Sequence, residues 1–231
     1  MNTLENTANL CVESCYEDFF RCFEVAVLDA VKPRMLLTLT GGMDSRIIAG
    51  ILACNNVDMP AITYGSYLEN MVASHVAGVL GFKHYCFPIA EQLSRYTWLK
   101  ERNFEYLLRG SYFDEVNGAW LGYIAKSRMA FEFAVEKCLV SAKYETNGIL
   151  KGVSPILDPD VLDCLAQIPW QLRKGKLIQK WILKTKFSKL WGIIYYDSML
   201  PLCFPFHVHS ISDVAIHKAA YFVRRKMLDK S

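Results

Sequence analysis

Long apolar runs are missing from this sequence, and their absence excludes one class of protein. A membrane-spanning helix needs about 18 or more consecutive apolar residues, and no uninterrupted run of that length occurs. The most apolar late stretch, 190–208, is interrupted by Asp197, Pro201 and Pro205. Residues 1–10 also lack a basic start followed by an apolar block, which is the pattern of a secretory signal. We therefore expect a cytoplasmic protein with no membrane partner.

Paired cysteines are also missing, which excludes zinc ribbons and dithiol redox sites. No CxxC pair occurs among the eight cysteines, and such pairs are the usual signature of both kinds of site. The net charge is small, at +3, and hydrophobic residues make up 52% of the chain. This composition excludes a disordered protein. A chain of 231 residues is long enough for one domain with a sizeable core.

Charge is distributed unevenly along the chain. Residues 1–31 carry six acids and one arginine, whereas residues 171–231 carry twelve lysines and arginines and three aspartates. The basic segment could contact a polyanion such as a nucleotide, pyrophosphate or RNA. It could equally be the solvated face of ordinary helices, because charge runs usually are.

The order of apolar patterns predicts an α/β fold. Apolar residues recur every three or four positions over 16–31 and 71–80, which indicates amphipathic helices. Short apolar segments predict strands at 35–39, 61–64, 83–87 and 106–109. This alternation predicts a parallel sheet with helices on both faces. Right-handed crossovers then put every strand-to-helix loop at one edge of the sheet.

The second half of the chain is expected to be mostly helical. Helices are predicted over 119–140, 160–168, 174–190 and 212–227. No internal repeat or low-complexity linker is visible. We therefore expect a single domain, residues 1–231, with a nucleotide-binding α/β core at 33–118 and a mostly helical part at about 119–231.

The loop between the first strand and the next helix, residues 40–45 (TGGMDS), has the composition of an anion site. Two glycines let the backbone approach a ligand closely, and the following helix points unpaired N–H groups and its positive dipole end outward. The hydroxyls of Thr40 and Ser45 add donors, and Arg46 adds positive charge. Because a carboxylate would repel a phosphate unless a divalent cation bridges them, Asp44 predicts Mg²⁺.

This loop differs from better-known phosphate loops. It lacks the lysine and the length of a Walker A motif, GxxxxGK[ST], and it is not GxGxxG. On local chemistry alone, an ordinary Gly-Gly turn between a strand and a helix is the alternative.

Four motifs, in order, resemble one family. Residues 40–45 resemble the SGGxDS signature of PP-loop ATP pyrophosphatases, with Thr40 where serine is usual. Three further elements resemble the synthetase domain of asparagine synthetase-like amidotransferases: 110–118 is similar to G-[DE]-G-x-D-E-x-x-G, 154–158 to P-F-L-D, and 176–184 to a K-x-x-L-R helix. The resemblance covers about residues 35–190 and implies the PP-loop ATP pyrophosphatase fold, which is adenine nucleotide α-hydrolase-like.

The resemblance implies an ATP-dependent, AMP-forming carbon–nitrogen ligase of amino-acid biosynthesis. In that family a substrate carboxylate, most often that of aspartate, attacks the α-phosphate of ATP. Pyrophosphate leaves, and an amine then displaces AMP from the acyl-adenylate. The implied cofactors are ATP and Mg²⁺. The implied site residues are catalytic Asp44, Asp114 and Glu115, magnesium ligands Asp44 and Asp114, and nucleotide-binding Thr38, Thr40, Gly41, Gly42, Ser45, Arg46, Tyr64 and Gly110.

The sequence departs from the family pattern in three places. The residues before the first motif are too few for the family's glutaminase domain, so we expect a chain without that domain, whose nitrogen comes from ammonia, another amine or a separate glutaminase chain. Ser111 stands where the second motif usually carries an acid that handles amine transfer, and Arg109 replaces a small residue. No lysine occurs in 191–210, where the family's late catalytic lysine is expected.

These departures leave two alternatives. One is a PP-loop enzyme that modifies a tRNA base after adenylating it, which the basic segment 171–231 favours, although nucleic acid is not our main expectation. The other is a non-catalytic nucleotide-binding protein, which Ser111 and the missing lysine favour. A homodimer is compatible with the sequence. His207 and His209 could share a metal ion, but the sequence identifies no third ligand.

Overall fold

A parallel β-sheet forms the centre of the structure. The computed structural model describes residues 2–88, 92–117, 128–144, 150–195 and 200–201. Within these ranges, one sheet contains β1 (Met35–Thr38), β2 (Ala61–Gly65), β3 (His84–Pro88), β4 (Tyr106–Leu108) and β5 (Lys151–Val153). The strand order is β3-β2-β1-β4-β5, and every neighbouring pair is parallel. The predicted α/β fold with a parallel sheet is therefore confirmed.

The strand order creates a crevice at the carboxyl edge of the sheet. From β1 the chain moves outward through β2 to β3, and then returns to the other side of β1 for β4 and β5. The loops that follow β1 and β4 therefore leave the sheet where the direction of winding reverses, which is where open α/β sheets bind ligands. Loop 40–45 and residues 110–114 are these two loops.

Helices flank the sheet. They are α1 (Asn2–Asp29), α2 (Met43–Cys54), α3 (Tyr67–Leu80), α4 (Gln92–Glu101), α5 (Phe113–Asn117), α6 (Arg128–Tyr144), α7 (Pro159–Gln167), α8 (Trp170–Arg173), α9 (Leu177–Thr185) and α10 (Ser188–Trp191). Short 3₁₀ turns lie at Pro155–Leu157 and Lys174–Lys176, and β6 (Ile194–Tyr195) pairs with β7 (Leu200–Pro201). Across the described ranges, no helix has both the length and the apolarity needed to cross a membrane.

β1 separates two apolar clusters, one on each face of the sheet. Met35, Leu37 and Leu39 belong to the larger cluster, whereas Leu36 belongs to the smaller one. This alternation follows from strand geometry, in which successive side chains point to opposite faces. Side chains of α1, α2, α3, α7 and α9 contribute to the larger cluster, and Leu99 of α4 to the smaller. Burial on both faces explains why the first three residues of β1, Met35 to Leu37, are all apolar.

An aromatic group on α1 anchors the loop that follows β4. The rings of Phe19 and Phe23 stack with centroids 5.9 Å apart. Both rings meet Phe113 edge-on, with centroid distances of 5.9 and 5.3 Å. All three side chains are fully buried. Because Phe113 is the first residue of α5, this packing fixes the position of the next residue, Asp114.

The prediction of one continuous helix over 174–190 is wrong. Gly175 and Lys176 both have left-handed backbone, with φ of 64° and 60°. Glycine adopts this conformation without a steric cost, so the chain turns there and α9 begins only at Leu177. A second break after Thr185 separates α9 from α10.

Other elements agree with the prediction or were missed by it. Helix 160–168 is confirmed as α7, whereas α4 and β5 were not predicted. Of the helix predicted over 119–140, the described part starts at Arg128 as α6. Residues 118–127 and the helix predicted over 212–227, together with His207 and His209, lie outside the described residues.

Gly50 of α2 lies against a buried ring, and we expect a side chain there to destabilise the fold. A Cβ atom at this position would lie 2.8 Å from the ring carbons Cγ and Cδ1 of Phe187, which is buried. Gly50→Ala should therefore lower the free energy of unfolding by about 1–3 kcal/mol, because the overpacked ring must shift. Denaturant unfolding measures this change.

Gly78→Ala is the matched control. Gly78 also lies within a helix, α3, but a Cβ atom there would meet nothing within 4 Å. This variant should gain about 0.5–1 kcal/mol, because alanine loses less backbone entropy on folding than glycine does. Equal effects of the two substitutions would contradict the packing described for Gly50.

Candidate functional site

Loop 40–45 is held in shape by its own hydroxyl groups. The Thr40 N–H donates to Ser45 Oγ at 3.0 Å, and the two hydroxyl oxygens lie 2.9 Å apart. The Gly42 N–H donates to Thr40 Oγ1 at 3.2 Å. The hydroxyls that the sequence assigned to anion binding therefore also bond to one another and shape the loop.

Helix α2 begins within this loop. Gly42 is its N-cap, and among the described residues no side chain forms a capping hydrogen bond there. The first N–H groups of a helix have no partner within the helix and carry its positive dipole end. They are therefore suited to the predicted anion site.

Gly110 brings the second loop into contact with the first. A Cβ atom at Gly110 would lie 2.8 Å from the backbone nitrogen of Ser45 and 2.9 Å from the carbonyl carbon of Asp44. Only glycine permits backbone segments to approach this closely. The end of β4 is therefore packed directly against loop 40–45, which puts residues 111–114 beside Asp44.

Asp44 and Asp114 converge on two side chains from the start of α9. The amide nitrogen Nε2 of Gln179 donates to Asp44 Oδ1 at 3.4 Å and to Asp114 Oδ1 at 3.1 Å. The ammonium Nζ of Lys176 lies 2.6 Å from Asp114 Oδ2 and 3.5 Å from Tyr195 Oη. Gln179 is fully buried, so its amide holds both carboxylates in fixed positions.

Burial next to a second carboxylate raises the pKa of Asp44 to about 8. Burial is the main cause, and the negative charge of Asp114 is the next. Lys176 and Gln179 act in the opposite direction, and Glu115 adds a smaller increase. Lys176 and Gln179 therefore offset only part of the cost of ionising Asp44, and a divalent cation would supply further positive charge.

The donor set fits Mg²⁺ held jointly with a phosphate-bearing ligand. This ion is usually bound by one or two carboxylates, while water and substrate phosphates complete its coordination. Asp44 and Asp114 supply two carboxylates. Among the described residues, no group of three or more His, Cys, Asp or Glu side chains could hold a metal ion. The arrangement therefore suits a shared metal–phosphate site better than a closed protein cage.

These groups line a cavity of about 220 Å³. Of the residues assigned from the sequence, those in its wall are Thr38, Thr40, Gly42, Asp44, Ser45, Gly110 and Asp114. Its other lining residues are Met43, Arg109, Ser111, Lys176 and Tyr195. The Thr38 hydroxyl is buried and has no hydrogen-bond partner in the described part of the chain, so a ligand could bond to it.

Arg46 does not line the cavity, which corrects the prediction that it adds charge to the anion site. Its side chain is fully buried and donates to the carbonyl oxygens of Gly41 at 2.8 Å, Ile193 at 3.1 Å and Ile194. Burial lowers the pKa of this guanidinium to about 10, so it stays charged at neutral pH. Arg46 therefore ties loop 40–45 to the start of β6.

Three further residues assigned from the sequence do not line the cavity. Gly41 is buried behind the loop, and its carbonyl accepts the bond from Arg46. Tyr64 lies near the carboxyl end of β2. Glu115 is exposed on α5, directly after Asp114. Their roles in nucleotide binding and catalysis stay predictions.

Lys176 is a site residue that the sequence analysis missed. The family resemblance predicts a lysine within 191–210, whereas the structure brings one from the turn before α9. A signal was present in the sequence, because Gly175 interrupts an otherwise helical pattern and places the next side chain at a helix N-terminus. Two neighbouring carboxylates also indicate that a cation must lie close to them.

Comparison with known proteins assigns no family and no function to this site. The chain matches no protein-family model and no curated protein. The family resemblance therefore depends on the four motifs alone.

The raised pKa of Asp44 predicts a fold that loses stability as the pH rises. An ordinary aspartate in the unfolded chain releases its proton near pH 4, whereas folded Asp44 holds its proton until about pH 8. Between these values the folded state binds more protons, so the free energy of unfolding falls with rising pH. Thermal unfolding of the metal-free protein between about pH 5 and 8 should show this decline.

Asp44→Asn should flatten the decline and stabilise the protein at pH 8 by about 0.5–2 kcal/mol. The amide keeps an acceptor for Gln179 and removes the charge. Asp58→Asn is the control, because Asp58 is an exposed carboxylate, and it should leave the pH profile unchanged. The same decline in Asp44→Asn and in the wild type would rule out the assignment.

Proposed function

We propose that this chain is an Mg²⁺- and ATP-dependent ligase of the PP-loop type, which activates a carboxylic acid as an acyl-adenylate and then converts it into an amide. The observation that carries the proposal is the convergence of Asp44, Asp114 and Lys176 beside the open N-terminus of α2. One cavity therefore combines ligands for a divalent cation with two sources of positive charge for a polyphosphate.

The cavity residues divide the work of the first step. The N–H groups at the start of α2 and the ammonium of Lys176 bind the phosphates that leave as pyrophosphate. Asp44 and Asp114 would hold Mg²⁺, which when bound neutralises charge on that leaving group. Lys176 contacts Asp114 at 2.6 Å, and a phosphate oxygen would give the ammonium a second anionic partner.

The first step requires positioning and positive charge rather than a general base. The substrate carboxylate is already ionised at neutral pH, so its oxygen attacks the α-phosphorus directly while the bond to the pyrophosphate oxygen breaks. No histidine is present among the described residues that line the cavity. This composition suits phosphoryl chemistry driven by electrostatic stabilisation.

The remaining ligands follow from the layout of the cavity and the family resemblance. The adenosine would lie along the backbone at Thr38, Tyr64 and Gly110, at the carboxyl ends of neighbouring strands. Arg109 and Ser111 line the side formed by the β4 loop, where they are candidates for contact with the acid. Aspartate is the first acid to test, with ammonia, another amine or a separate glutaminase chain as the nitrogen source.

The lysines of the basic segment weigh against the tRNA-modifying alternative. Lys176 lines the cavity, and Lys186 pairs with Glu17 at 2.7 Å. Lys180 is partly buried, and burial lowers its pKa. Lys176 and Lys186 therefore pair with carboxylates of the protein itself, whereas RNA binding needs a row of cations directed to solvent.

ATP–pyrophosphate exchange tests the first step directly. With Mg²⁺ and a panel of carboxylic acids that includes aspartate, the wild-type protein should incorporate labelled pyrophosphate into ATP. Lys176→Met should lower the exchange rate by roughly 10²–10³-fold, which is the usual cost of one lost electrostatic contact to a developing charge. Asp44→Asn should lower it at least as much, because it removes a magnesium ligand.

Lys189→Met is the matched control, since Lys189 is an exposed lysine of the same segment, and it should exchange at the wild-type rate. Calorimetry with ATP and Mg²⁺ measures binding separately. Clear ATP binding with no exchange for any acid would refute the ligase and favour a non-catalytic nucleotide-binding protein. A steeply salt-dependent affinity for tRNA would instead favour the RNA-modifying alternative.

A further inference from the structure

A second group of polar side chains lies away from the cavity, between α3 and the outer strands β2 and β3. This edge cluster consists of Thr63, Ser74, His84 and Cys86. Thr63 is fully buried, whereas Cys86 is exposed on β3, the outermost strand on its side of the described sheet. The edge cluster therefore connects the core to the surface.

Hydrogen-bond directions fix the tautomer of His84. The Thr63 hydroxyl donates to the carbonyl oxygen of Leu39, so the hydroxyl oxygen must accept from His84 Nε2, which lies 2.7 Å away. The proton of the neutral imidazole is therefore on Nε2, and Nδ1 carries a lone pair. Burial lowers the pKa of His84, which keeps the ring neutral at physiological pH.

The Ser74 hydroxyl connects this lone pair to a thiol. Ser74 Oγ lies 3.2 Å from Nδ1 and 3.2 Å from Cys86 Sγ. Cys86 Sγ lies 3.5 Å from Nδ1 and 3.9 Å from Nε2, so the sulfur lies over the ring and not along the lone pair of Nδ1. The thiol proton can therefore reach Nδ1 through the Ser74 hydroxyl, which accepts from the thiol and donates to Nδ1.

We propose that Cys86 is an activated thiol, with His84 as its base, and that it forms mixed disulfides with small-molecule disulfides at the exposed edge of the sheet. A thiol becomes a nucleophile when it loses its proton, and a neighbouring imidazole is a common acceptor. Metal binding fits the edge cluster less well, because His84 and Cys86 are its two metal-ligating side chains and the described residues provide no third.

The exchange reaction balances without any further reagent. Cys86 gives its thiol proton to the Ser74 hydroxyl, which passes its own proton to His84 Nδ1, and the sulfur attacks one sulfur of the disulfide. A new S–S bond to Cys86 forms as the old S–S bond breaks. The departing thiolate then takes the proton from His84 and leaves as a thiol.

Peptide-resolved mass spectrometry of the whole chain treated with dithiodipyridine tests the proposal. Cys54 is the internal control, because it is also exposed and the described contacts give it no imidazole partner. At neutral pH, Cys86 should react at least about tenfold faster than Cys54, because His84 provides a base for its thiol proton. His84→Gln should bring the rate at Cys86 close to that at Cys54.

Two further controls separate base catalysis from a loss of folding. Cys138 is buried, so its labelling reports unfolding in any variant. Ser74→Ala removes the relay between the thiol and Nδ1, and it should lower the rate at Cys86 about as much as His84→Gln does. A Cys86-to-Cys54 ratio near one in the wild type overturns the proposal, as does an unchanged ratio in a folded His84→Gln variant.

Discussion

The main constraint on this structure is the close approach of two carboxylates in a partly buried site. Asp44 and Asp114 repel one another, and both carboxylates accept from the buried amide of Gln179. The sheet order brings their loops to one crevice. The missing side chain at Gly110 lets the backbones touch. Each of these features brings like charges closer together than is favourable for the stability of the ligand-free protein. Such crowding is common at sites that bind a charged ligand.

Positive charge at this crevice comes from a different part of the chain than local patterns suggest. Arg46 follows the glycine loop directly, yet its guanidinium lies behind the loop and bonds to carbonyl oxygens. Lys176 is distant in sequence, yet its ammonium reaches Asp114. A buried arginine can hold several carbonyls at once with its fixed fork of donors, whereas lysine is a compact charge on a flexible stem. Arg46 therefore stabilises the fold of the loop, whereas Lys176 supplies positive charge to the cavity.

Local patterns were enough to predict four of the five strands of the described sheet and the position of loop 40–45 after β1. The apolar segments of β1 to β4 and the glycine loop are read directly from neighbouring residues, and strand order then implies that Asp44 and Asp114 meet. β5 was missed because Lys151 and Gly152 are exposed and give no apolar pattern. The bonds from α9 could not be predicted, because they join residues separated by 62–135 positions and depend on the left-handed turn before that helix.

Loop 40–45 folds late, because the guanidinium of Arg46 behind it depends on acceptors that are distant in sequence. The bonds from Arg46 to 190–194 span 144–148 positions. Until that later segment has been synthesised and has docked, the positive charge behind the loop lacks most of its acceptors, and a buried charge without partners is costly. Contacts of such long sequence separation also form slowly. An element from the first quarter of the chain thus reaches its final shape only after synthesis has passed Ile194.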